Sequence, residues 1–81
     1  MASKKAVVYV RLKEGVLDPQ GVTIGRAIAN MGYDVVDDVR SGRFFELTLS
    51  DDNDKAKNEI NEICRKLLAN PVIENFKVEY A

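Results

Sequence analysis

Side chains able to do chemistry are few in this chain of 81 residues, and their spacing argues against a reaction. There is one cysteine, Cys64, and no histidine. Nucleophilic catalysis wants a thiol or hydroxyl held beside a base. Cys64 has no imidazole to activate it and falls on the apolar stripe of a helical pattern, where cysteine acts as a small hydrophobe. Ser41 and Ser50 read as turn residues. A Cys/His zinc site is excluded, and a single cysteine makes no internal disulfide. Two acidic runs remain, "DVVDD" at 34–38 and "SDDND" at 50–54. The second lacks the calcium-loop spacing with its downstream glutamate, and acids in a first helical turn are ordinary. The first reads as a solvated strand edge. P-loop and dinucleotide fingerprints are missing. No catalytic residue, cofactor site or metal site is expected on this chain.

The elements that would position any site follow from periodicity. "KAVVYVRLK" at 5–13 alternates Ala6, Val8, Val10 and Leu12 against Val7, Tyr9, Arg11 and Lys13, a strand with two distinct faces. Asp18 then has the chemistry of an N-cap, Pro19 suits the first helical position, and Leu17 and Val22 have the spacing of a hydrophobic staple. Ile24, Ala27, Ile28 and Met31 recur on one helical face, and Gly32 closes the helix in a left-handed conformation. Gly21 and Gly25 stand out. Each should cost roughly 1 kcal/mol inside a helix relative to alanine. Their spacing of four leaves a smooth strip where another backbone can come close.

A hairpin is predicted next: a strand over 34–40, a turn at Ser41 and Gly42, and a strand over 43–50 with Phe45, Leu47 and Leu49 opposite Phe44, Glu46 and Thr48. Residues 51–70 read as a helix, with Ala56, Ile60, Ile63, Cys64 and Leu67 on its apolar stripe, Asn70 as a left-handed cap and Pro71 as a stop. Residues 72–80 alternate as a last strand. The order strand, helix, strand, strand, helix, strand predicts an α+β, ferredoxin-like two-layer sandwich, with a four-stranded antiparallel sheet and two helices on one face. The whole of 1–81 is expected to be one domain. Helices on one face leave the other bare, with Val7, Tyr9, Phe44, Thr48 and Ile73 on it. A contiguous apolar patch marks an interface, so a second copy is expected to pair there.

Composition bounds the partners. Hydrophobic residues make up 46% with mixed charges, as in a folded domain, and the net charge is −1. That charge offers no field to collect nucleic acid. "MASKKAVVYV" lacks the apolar core of a secretory signal, and no run is long enough to span a membrane. A cytoplasmic protein is expected. A domain this small gains stability from a disulfide, a metal or a second subunit, and only the third remains available.

Three stretches carry more than pattern: "LKEGVLDPQG" at 12–21, "DDVRSGRFFELTL" at 37–49 and "CRKLLANPVIENFKVEY" at 64–80. Together they resemble the PurS family, the small subunit of phosphoribosylformylglycinamidine synthase, over essentially the whole chain. Arg43 stands where a lysine is common, and "ENF" at 74–76 replaces the more usual Glu-Asp-Tyr. The resemblance implies a non-catalytic part of an ATP-dependent ligase of purine biosynthesis. In that complex PurL binds ATP with magnesium and the ribonucleotide, and PurQ releases ammonia from glutamine. The resemblance agrees with the homodimer expected from the sheet face, and leaves open whether such dimers pair further into a dimer of dimers. On this reading Asp18, Pro19, Gln20 and Gly21 present a close-approach surface to a large partner, and Arg40, Gly42 and Arg43 form a hairpin tip that pairs with acidic groups.

Two other readings compete. Amino-acid-binding regulatory modules share this element order, but are usually tethered to an enzyme. RNA-binding modules of this fold stack bases on sheet aromatics. "GRFFEL" echoes their basic-aromatic strand without its alternating Gly-Phe pattern.

Overall fold

The computed structural model describes residues 4–80, so Met1–Ser3, read above as free of a secretory signal, and Ala81 lie outside it. Its elements are β1 (Lys4–Leu12), α1 (Pro19–Asn30), β2 (Gly42–Leu49), α2 (Asp54–Ile63) with a π-helical turn Cys64–Leu68, and β3 (Glu74–Tyr80). The sheet is antiparallel, three-stranded, and ordered β2-β1-β3. The central strand is the one whose alternation is cleanest. Val8 stands opposite Phe45 and Val78, and Ala6 opposite Leu47 and Tyr80. Ala6, Val8 and Val10 are buried, together with Ile60 from α2, Cys64 from its terminal turn and Ala69 just beyond that turn. Phe45, Leu47, Leu49, Leu68, Phe76 and Val78 pack around them, each only partly buried. Burial pushes the Cys64 thiol pKa up, which keeps it protonated and unreactive.

Several local expectations hold. Asp18 caps α1, and Gly32 has φ +91°, the left-handed region that ends a helix cheaply only at glycine. Asn53 caps α2 by accepting from the Ala56 N–H at 2.8 Å. That helix therefore begins at Asp54, because Asp51 accepts from the N–H groups of Asp52 and Asn53 and holds them in a turn. Its far end differs from expectation as well. The Ala69 N–H donates to the Cys64 carbonyl, widening the last turn to a π-helical one. Asn70 is not left-handed, since no residue besides glycine among those described has positive φ. It orders the next turn instead, its carbonyl accepting from Ile73 and Glu74 and its side chain from Val72.

Two larger expectations fail. Residues 34–40 form no strand, and Ser41 and Gly42 make no hairpin turn; Gly42 already sits in β2 opposite Arg11. The sheet thus has three strands, not four. Nor do two helices cover one face. The core contains α2 and nothing from α1. Gly21 is the one buried residue of α1, while Val22, Ile24 and Met31 are exposed. Residues 19–40 form an arm instead. The helix runs out, Gly32 turns the chain, and 33–40 returns along the helix with Val39 against Gly21 and Gly25.

Candidate functional site

The arm joins the sheet through a short neck, where most of the residues singled out in the sequence come together. Asp18 organises it. The carboxylate is buried, 6% exposed, and its Oδ1 accepts from the Gly21 N–H at 3.0 Å, the bond that starts α1. The same carboxylate accepts from the Ser41 N–H at 2.6 Å and the Ser41 hydroxyl at 2.7 Å. One side chain therefore caps a helix and pins the strand of the chain that returns to it. The N–H groups of Gly21 and Ser41, then the Ser41 hydroxyl, hold the Asp18 carboxyl below its usual pKa, and the Arg40 charge adds to this. Arg40 closes the other side, donating to the carbonyls of Leu12 at 3.1 Å and Lys13 at 3.3 Å.

The glycine strip has its occupant here. A Cβ on Gly21 would run into the Val39 carbonyl oxygen, and one on Gly25 would touch the Val39 side chain at 3.6 Å. The close approach is made by this chain's own returning segment. Pro19 and Gln20 remain exposed.

Arg43 lies in β2 on the core-side face rather than at a hairpin tip. It donates to both oxygens of Glu74, at 2.7 and 3.0 Å, and to the Leu68 carbonyl at 2.8 Å. Glu74 also accepts from the Asn70 N–H at 2.7 Å. Arg43, then Asn70, holds the Glu74 carboxyl below its usual pKa. The cluster ties β2 and β3 to the end of α2. Arg43→Lys keeps the charge but loses the planar fork. Because the guanidinium is half exposed, the expected loss is about 1 kcal/mol, read as a lower urea midpoint with an unchanged slope.

Between these clusters lies a shallow depression of about 220 Å³ lined by Arg11, Gln20, Gly42, Arg43 and Glu74, among others. It joins two of the predicted segments, 18–21 and 40–43, in one place. Sequence reasoning missed Ser41 and Glu74. Ser41 was read as a turn residue, although a small polar residue just ahead of a strand is a natural partner for a capping carboxylate. No local signal marked Glu74. Among the described residues there, the one hydroxyl paired with a carboxylate, Ser41 on Asp18, is a structural tie: three hydrogen bonds hold that carboxylate in its ionised form and make it a weak base. The described residues contain no cluster of three His, Cys, Asp or Glu able to hold a metal, and no helix long and apolar enough to cross a membrane. The arrangement presents shape, donors and charge, which is the equipment of a recognition surface.

The outer face of the sheet is the second candidate surface. Tyr9 and Phe44 stand opposite each other, 43% and 58% exposed, with ring centroids 6.3 Å apart. Val7 and Thr48 share this face, but register places Lys5, Glu46, Lys77 and Glu79 on it as well. It is a mixed surface with an aromatic centre, more polar than the alternation suggested. Ile73 lies just ahead of β3, its carbonyl accepting from the Lys13 N–H.

Comparison with known proteins places these features. Residues 5–81 match the profile of the family PurS: Phosphoribosylformylglycinamidine (FGAM) synthase. A Bacillus subtilis relative, phosphoribosylformylglycinamidine synthase subunit PurS, is 47% identical over 75 residues, 93% of this chain and 89% of that one. The subunit of the same name from Methanocaldococcus jannaschii is 41% identical over 76 residues, 93% of this chain and 92% of its own. Among solved structures, a Bacillus subtilis PurS crystal form superposes with a TM-score of 0.87 at 45% identity, covering 96% of this chain and 98% of that one. A chain in the structure of PurLQS from Thermotoga maritima superposes with a TM-score of 0.87 at 30% identity, covering all of both chains.

Proposed function

Because the chain belongs to the PurS family, we propose that it is the small, non-catalytic subunit of phosphoribosylformylglycinamidine synthase, working in the cytoplasm in purine biosynthesis. Its task is to bring a glutaminase, PurQ, and an ATP- and substrate-binding subunit, PurL, together, so that nitrogen from glutamine reaches formylglycinamide ribonucleotide. The observation that carries this is the end-to-end superposition on a chain of the Thermotoga maritima PurLQS structure. A chain that matches one subunit of a three-part assembly over its full length, and whose one hydroxyl–carboxylate pair among the described residues is committed to holding the neck, is best read as the part that organises the other two.

The neck is the surface we assign to those partners. Pro19 and Gln20 are its exposed crest. Asp18, Gly21, Arg40, Gly42 and Arg43 act mainly by holding that crest in place. The outer sheet face, with Val7, Tyr9, Phe44, Thr48 and Ile73, is assigned to contact with a further copy, in a homodimer or between dimers. Its aromatic centre with a charged surround has the composition of an interface core and rim. ATP and magnesium belong to PurL on this reading, and nucleic acid and membrane play no part. The four-stranded layer with two helices is assigned to the associated chain and not to one copy.

A reconstitution tests the proposal. PurL and PurQ from the same source are supplied with ATP, magnesium and formylglycinamide ribonucleotide, and amidine formation is followed with and without this chain. The glutamine-fed rate is expected to depend on the chain, and the ammonia-fed rate to be nearly indifferent to it. Equal glutamine-fed rates in both mixtures would end the synthase reading and bring the amino-acid-binding module forward.

A further inference from the structure

Where the sheet meets the neck, two arginines are committed and one is not. Arg40 donates to the Leu12 and Lys13 carbonyls, and Arg43 to Glu74. Arg11 is exposed on the outer face, and register places Asn75 of β3 across from it. Neither side chain joins a hydrogen bond or an ion pair among the described residues. A guanidinium fork and a carboxamide therefore stand side by side with their donors free. On the other flank Arg11 faces Gly42, which has no side chain to fill the space. Tyr9 is the next outward residue of β1, with Phe44 on one side and Lys77 on the other. Two depressions meet along Tyr9 and Arg11. One, of about 490 Å³, is lined by Tyr9, Arg11, Asn75, Lys77 and Glu79, among others. The other, of about 180 Å³, is lined by Tyr9, Arg11, Arg40, Gly42 and Phe44, among others. The larger has the volume of a small-molecule site.

We propose that this place binds a purine nucleoside monophosphate, its base on the Tyr9 ring and its phosphate on the Arg11 fork and the Asn75 amide. Successive outward residues of a strand are roughly 7 Å apart, which suits a base and a 5′-phosphate separated by one ribose. An aromatic ring gives any base a stacking face, and a guanidinium can hold two phosphate oxygens at once. Acidic groups bound the site at both ends. Glu79, 3.5 Å from Lys77, lies at the end of the larger cavity away from Arg11. Glu14 and Asp38 share a further depression with Arg11 on the side of the neck. The positive spot between them has room for one phosphate and repels a chain of them, so a mononucleotide fits and a strand of RNA does not. Tyr9 also belongs to the face assigned above to a further copy, so nucleotide and copy exclude each other there. On the synthase reading such a ligand is an end product of the route the complex serves, and the site is regulatory; the binding itself does not rest on that reading.

The test is a titration of the full chain with AMP, adenosine and inorganic phosphate, followed by heteronuclear magnetic resonance. AMP is expected to saturate with a Kd on the order of 0.1 mM, shifting the Tyr9 ring and the Arg11 Nε–H. Adenosine and phosphate should each bind roughly 10-fold or more weakly. Arg11→Gln and Tyr9→Ala should each weaken AMP about 10-fold, with the rest of the spectrum unmoved. Tyr9→Phe keeps the ring and should bind within about twofold of the parent. Lys57→Gln, the same loss of charge on α2, should bind as the parent does. No saturation up to roughly 10 mM AMP, adenosine binding as well as AMP, or full affinity in Arg11→Gln overturns the site. An adenylate oligonucleotide that binds more tightly per nucleotide than AMP would make the face an RNA surface and also end the proposal. The titration contains neither PurL nor PurQ, so its outcome is independent of the reconstitution.

Discussion

Gly21→Ala is expected to destabilise the chain by about 2–3 kcal/mol, although alanine is the better helix former at an interior position. The new Cβ would run into the Val39 carbonyl oxygen and lie 2.7 Å from Asp18 Oδ2. Neither neighbour can give way cheaply. Val39 is backbone, held by Arg40 and Ser41 immediately after it, and the Asp18 oxygen is the acceptor for the Ser41 N–H. Relief therefore requires opening the neck. Gly25→Ala is the matched control, one turn along the same helix. There the Cβ meets the Val39 Cγ2 at 3.6 Å, an ordinary contact, so the propensity gain survives and the chain should be stabilised by roughly 0.5–1 kcal/mol. Urea unfolding of both variants at one protein concentration checks the pair. Opposite signs for two alanines four residues apart would place the close approach at Gly21. Equal signs would mean that Val39 yields.

That contrast also marks how far the residues alone could be read. The faces of β1 and β3, the caps at Asp18 and Gly32 and the core role of Cys64 depend on neighbours within a turn or two, where periodicity and capping chemistry act. The glycine pair correctly called for a close backbone, but the backbone belongs to residue 39, and nothing local links it to residue 21. Val35, Val36 and Val39 have strand chemistry, yet a strand exists only where an edge accepts it, and this chain holds those residues away from its own sheet. The Arg43–Glu74 pair spans 31 positions, and Asp18–Ser41 spans 23. Both required the fold before either could be seen. Of the candidate surface, the two segments 18–21 and 40–43 were legible one at a time. Their convergence was not, because the side chain joining them, Ser41, has the composition of a turn.

Acid should loosen both the neck and the tie that joins β2 and β3 to the end of α2. Asp18 and Glu74 both have carboxyl pKa values below their ordinary 3.8 and 4.5, held there by hydrogen bonds donated to the ionised form. A depressed folded-state pKa means that the unfolded chain binds protons more readily at intermediate pH. The stability from these groups is therefore fully present above the unfolded values and is lost as pH falls through the folded ones. The melting temperature is expected to hold from pH 7 to about 5 and to drop steeply below 4, where the unfolded forms are protonated first. Asp18→Asn separates the two groups. An amide can still accept from one backbone N–H, but its nitrogen cannot accept from a second, so the cap and the Ser41 pin can no longer both be satisfied. At pH 7 this variant should melt roughly 10 °C lower. Its decline below pH 4 should be shallower than the parent's, with the remaining slope due mainly to Glu74. Glu74 is joined to the sheet and α2 rather than to the arm, so hydrogen exchange can assign the two losses. Amides of α1 and residue 41 should open first in Asp18→Asn, and those around residues 68–74 in Glu74→Gln. An Asp18→Asn chain whose acid profile matches the parent's would show that the carboxylate caps the helix without fastening the arm.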